Sequence, residues 1–200
     1  MNVELSRLMD NARVRLPGAI DTAIQLELFA VLNEFFQDSN CWYEDISLNV
    51  TPNVTSYSIV PSSTAAPVRL IGVANSSNQM QMAVFDLPST LTLIVAPSQA
   101  DTFTARLVLT VDDPVSSEGF PDCPEWALNK YQSDILDGVL GRMMSQIAKP
   151  YTNERMAIYH TRKFRGAVAQ AKVEAQHGNI YRGQNWRFPQ TFARRNPRSF

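Results

Sequence analysis

The chain has 200 residues, 18 Lys/Arg against 19 Asp/Glu and 44 % hydrophobic residues, proportions of an ordinary globule that can bury a core in one domain or in one domain with an insertion. No apolar run approaches the ~20 residues of a membrane-spanning helix, and the near-neutral net charge is poor for a dedicated nucleic-acid binder. The charge is unevenly spread: residues 151–200 hold ten Lys/Arg and two acids, whereas residues 1–150 hold eight basic residues and seventeen acids.

In chain order, Leu5, Leu8, Met9, Ala12 and Leu16 share one stripe at helical spacing and predict a helix over 3–16, broken by Pro17-Gly18. A second helix is predicted over about 19–38, with Ile20, Ile24, Leu28, Val31, Leu32 and Phe35 on its main stripe. Leu26, Phe29 and Phe36 add apolar surface on other faces, so it is expected to pack on more than one side. The N-terminus lacks the apolar core of a secretory signal, which implies a protein made and kept in a reducing cytoplasm.

Between Trp42 and Val111 the period changes to two. Alternation over 46–50, 56–59 and 102–109, with shorter runs at 68–73, 80–85 and 91–95, predicts six short strands in a small sandwich or barrel. Cys41 and Cys123 flank this segment and are expected near each other as free thiols. Helix returns after Pro121: Asp122 is the expected N-cap, Pro124 lies in the first turn and Glu125 stands three residues on. Tyr131, Ile135, Leu136, Val139, Leu140, Met143 and Ile147 form its apolar face. Gly138 and Gly141 permit close packing, and Lys149-Pro150 ends the helix.

The last predicted helix spans about 153–176, with Gly178 as its stop. Ala157, His160, Phe164, Ala167, Val168, Ala171 and Ala175 share one face, and Arg155, Arg162 and Arg165 lie opposite. The stretch 178–200 has no acid and no period, yet holds Tyr181, Trp186, Phe188, Phe192 and Phe200 among its arginines. Disordered tails are normally poor in aromatics, and Arg and aromatics dominate binding hot spots, so this end reads as an arm laid on a partner. The organisation is thus N-terminal helices over 1–40, an inserted β domain over 41–120, C-terminal helices over 121–177 and the arm over 178–200. The expected fold class is α+β: a four-helix bundle with an inserted small β-sandwich or barrel and an extended C-terminal arm.

Chemistry is sparse. There is no phosphate-binding glycine loop, no G-x-S-x-G and no H-E-x-x-H. His160 and His177 have no metal-ligand spacing, and His160 on an apolar face reads as a hydrogen-bonded packing residue. Asp112-Asp113 and Glu44-Asp45 read as solvated turn acids. No catalytic, metal or cofactor site is expected, and the chain does not read as an enzyme.

The N-terminal helix pair, the β insert, the stretch PDCPEWALNKYQSDILDGVLGRMMSQIAKPYTNERMAIYHTRKFRGAVAQAK and the Gly/Arg/aromatic tail together resemble the head-to-tail adaptor (connector) proteins of tailed bacteriophages, most closely over 121–192. The resemblance implies a structural virion protein at the head–tail junction, made in the bacterial cytoplasm. It implies a ring, of twelve copies, beneath the portal ring, with a tail nozzle or tail-tube protein on the other side. Genomic DNA passes through its channel without sequence-specific binding, and no membrane is involved. Carried to this chain, the portal-docking arm is Tyr181, Arg182, Trp186, Arg187, Phe188, Phe192, Arg194 and Arg195. Intersubunit or helix packing falls to Tyr131, Ile135, Val139, Met143, His160, Phe164 and Val168. The alternative is a DNA-binding packaging or head-completion accessory that uses the same basic tail, with bases stacked on its rings and phosphates on its arginines.

Overall fold

A computed structural model describes residues 3–62, 64–112 and 123–177. These form four helices and seven strands: α1 (Val3–Arg15), α2 (Asp21–Ser39), β1 (Tyr43–Val50), β2 (Ser56–Ser58), β3 (Ala66–Ala74), β4 (Met80–Gln81), β5 (Ala83–Asp86), β6 (Thr90–Leu93), β7 (Asp101–Thr110), α3 (Glu125–Met144) and α4 (Glu154–Gln176). The expected docking arm, the stop at Gly178 and the cap at Asp122 lie outside the described residues.

The architecture is mixed α/β with two antiparallel sheets, and the four-helix bundle expected from the sequence is not what forms. In such a bundle every helix turns one stripe toward a shared axis. Here α3 is the hub, packed on α4, α2 and α1, while α1 and α4 barely meet and α2 also rests on β7. The helical core therefore runs on into the β layer through Val111, Cys41 and Trp42. Of the other apolar surface of α2, Phe36 is fully buried against Trp42 and Phe29 is partly buried, whereas Leu26 is 67 % exposed; Thr110 Oγ1 of β7 is hydrogen-bonded at 2.6 Å to Asn33 Oδ1. At its N-terminus the stripe was overdrawn, because Ile20 is the N-cap and is 72 % exposed.

One sheet has the order β1-β7-β3-β4 and the other β2-β6-β5. Phe103, Ala105, Leu107 and Leu109 alternate inward along β7 and join Leu48, Val50, Val73, Leu91 and Leu93 in a second core. Near the helices Val108, Thr110 and Val111 are buried as well, because α2 covers the other side of β7. The run 80–85, expected as one strand, divides at Met82: β4 pairs with β3, and β5 crosses to pair with β6. The insert leaves and returns on one antiparallel pair, β1 with β7, matched from Tyr43↔Val108 to Val50↔Asp101. That pairing brings the chain back to the helices where it left them, and Cys41 and Cys123 are both buried in the helical core.

α3 starts two residues later than its sequence signal, with Pro124 as N-cap. It also ends early, at Met144, so Ile147 is 88 % exposed in a turn where Ala148 takes a left-handed φ of 59°. Tyr151 returns to the core in its place, its hydroxyl bonded to Gln146, and Asn153 caps α4 by accepting from the Met156 N–H.

Candidate interaction surface on the helical layer

The α3–α4 seam is set by two glycines. Over Gly138 lie Val31 and the Phe164 ring, and over Gly141 lies Thr161, backbone included, so the helices meet with no room for a side chain. The residues expected to pack helices are placed here. Ile135, Val139 and Met143 are fully buried, and Tyr131, Phe164 and His160 are nearly so. Val168 is half-buried against the same core. Their partners lie within this chain: Phe35 touches both Tyr131 and Phe164, with ring centroids 5.0 and 6.3 Å away.

Sequence reasoning missed Asp137. It is 3 % exposed, its Oδ1 lies 2.7 Å from His160 Nδ1, and its Oδ2 lies 2.7 Å from Lys163 Nζ in a close ion pair without good hydrogen-bond angles. The signal was an acid inside the apolar run Ile135-Leu136-Asp137-Gly138-Val139, and a buried carboxylate needs partners. Next to it burial pushes the Asp134 carboxyl up, and the Asp137 charge adds to that rise. Toward the end of α4, Glu174 accepts from Tyr131 at 2.8 Å and pairs with Lys130 at 2.8 Å. Lys130, Gln170 and Tyr131 hold the Glu174 carboxyl down to about 2, while burial pushes the Tyr131 phenol up to about 12 and keeps it a donor.

A carboxylate depressed in the folded state stabilises above its unfolded value of 4.5 and loses that contribution as pH falls toward about 2. Glu174→Gln is therefore expected to lower stability at pH 7 by at most about 1 kcal/mol, since Lys130 is half in water. It should also flatten the decline in melting temperature between pH 5 and pH 2. An unchanged acid limb in the variant would show that the Lys130–Glu174–Tyr131 cluster does not hold α4 to α3.

Several cations of the body are paired within it. Arg13 pairs with Asp10 and Asp21, Arg106 with Asp45, and Arg142 with Glu27 and Glu34. Arg155, Arg162 and Arg165 are exposed on the outer face of α4 and, like Lys149 and Lys172, make no ion pair among the described residues. Beside them the α3–α4 turn forms a groove of about 600 Å³, lined by Met144, Ile147, Ala157, Ile158, Arg162 and Arg165 among others. The sequence matches no protein-family model and no curated protein.

A second surface lies on the sheets. Ile71, Met80, Met82, Val84, Leu87, Ile94 and Val95 are all exposed, and between residues 70 and 100 the chain has one charged residue, Asp86. Exposed apolar patches of this kind mark contact surfaces. Among the described residues no cluster of three or more His, Cys, Asp or Glu is placed to hold a metal, and no helix is long and apolar enough to cross a membrane.

Proposed function

We propose that this protein is a structural head-to-tail adaptor that assembles as a ring under a portal, extends the DNA channel and carries the tail. The observation that carries the reading is the division of charge. The body pairs Arg13, Arg106, Arg142 and Lys130 internally, while the outer arginines of α4 and the acid-free arm that follows are left for partners. Such complementarity chiefly sets specificity and docking rate. In this reading the arm residues Trp186, Phe188, Phe192, Arg182 and Arg187 hold the portal. The uncharged patch around Met80, Met82 and Ile94 receives the nozzle or tube.

Deletion of residues 178–200 is expected to abolish association with the cognate portal in native mass spectrometry while leaving circular dichroism and melting temperature of the body unchanged. Wild-type chain should add to the portal in a fixed ring stoichiometry. Docking by the truncated chain would overturn the assignment of the arm. The unpaired arginines also fit phosphate, which is the packaging-accessory reading. No change of mass with portal, together with retention of DNA in a gel shift that weakens steeply with salt, would replace the adaptor reading with that one.

A further inference from the structure

We propose that the groove at the α3–α4 turn is the docking site for the acidic segment 113–122 of a second copy of this chain. The groove joins an apolar floor (Met144, Ile147, Ala157, Ile158) to a wall of Arg162 and Arg165, with Glu154 the one acid among its lining residues. Ile147 and Ile158 are exposed there, 88 % and 48 %, so the floor has no cover among the described residues. Its complement is a short stretch with carboxylates and an apolar anchor.

Residues 113–122, DPVSSEGFPD, carry Asp113, Glu118 and Asp122, no base, and Val115 and Phe120. The arm 178–200 has the same apolar character but the wrong sign, since it has arginines and no acid. DNA matches the sign but not the apolar floor.

Reach makes the contact intermolecular. An extended chain advances at most about 3.5 Å per residue, so Phe120 stays within about 10 Å of Cys123 and Glu118 within about 17 Å. Cys123 lies at the N-terminal end of α3 and Met144 at its C-terminal end, about 29 Å along the helix. The aromatic half of the segment therefore cannot fill the groove of its own chain. The groove lies at the C-terminal end of α3 and the point where the segment joins the described chain, Cys123, at its N-terminal end, so the contact is head-to-tail, which closes rings or extends filaments. This deepens the ring reading above by naming the contact between neighbours. Its test contains no portal, so the two can fail separately.

A fluorescent peptide of residues 113–122 is titrated with full-length protein up to about 1 mM, the order of the effective concentration that linked neighbours experience. Saturable binding is expected, weakened about tenfold or more by Arg162→Glu with Arg165→Glu, and unchanged by Lys172→Glu on the same helix. Phe120→Ala in the peptide, which leaves the folded partner untouched, is expected to weaken it as well. Absence of binding at about 1 mM, or equal affinity for the double variant, would overturn the proposal. So would a double variant that loses DNA retention while binding the peptide as before, because the arginines would then belong to phosphate.

Discussion

Phe35→Ala is expected to lower unfolding free energy by about 3–5 kcal/mol, among the largest losses available to a single substitution in this chain. Phe35 is fully buried at the point where three helices meet: its ring lies 5.6 Å from Phe36, 5.0 Å from Tyr131 and 6.3 Å from Phe164. Truncation removes the burial of one aromatic ring and leaves a cavity whose walls come from α2, α3 and α4. None of those walls can collapse without moving a helix, because α2 is also pinned to β7 and α3 is held by α1. Phe35→Leu keeps most of the volume and should lose less. Urea unfolding followed by tryptophan fluorescence reads both variants. A loss below about 1 kcal/mol for the alanine would mean that the three helices do not share the core described above.

Long periodic segments were legible in the sequence because helix and strand each impose a period that a buried face must follow. The stripes Leu5-Leu8-Met9-Ala12-Leu16 and Ile135-Val139-Met143 are buried as their spacing predicts. Architecture was not legible. A stripe says that a face is covered but not by what: α2 packs on α3, on α4 and on β7, so its apolar surface is divided between helices and sheet. Ends were also hard to read. Ile147 continues the apolar spacing of α3, yet Tyr151 takes the core position after a turn through Ala148. The pairing Asp137–His160–Lys163 joins residues 23 or more apart in sequence, and only the approach at Gly138 and Gly141 brings them together. The arm carries most of the functional reading and rests on composition, since its residues lie outside those described.

Gly138→Val and Gly166→Ala are expected to change stability in opposite directions, by about 3 kcal/mol or more downward and by about 0.5–1 kcal/mol upward. Both glycines are helix-interior residues, and from propensity alone each would gain from a side chain. What lies above them decides the sign. A Cβ at Gly138 would stand 2.6 Å from Val31 Cγ1 and 2.8 Å from Phe164 Cδ2, inside contact distance of two other helices at once. Those neighbours are core residues with no free volume to enter, so the seam must open, and α4 would shift relative to α2 together with the Asp137–His160 bond. At Gly166 nothing lies within 4 Å of the added carbon, and alanine there only restricts the unfolded chain and improves helix propensity. Thermal melts of the two variants against wild type test this contrast directly. A tolerated valine at 138 would mean that Val31 and Phe164 do not close over α3 as described. A destabilising alanine at 166 would mean that the outer face of α4 is already covered in the free protein, and the preceding Arg162 and Arg165 would then not be open to a partner.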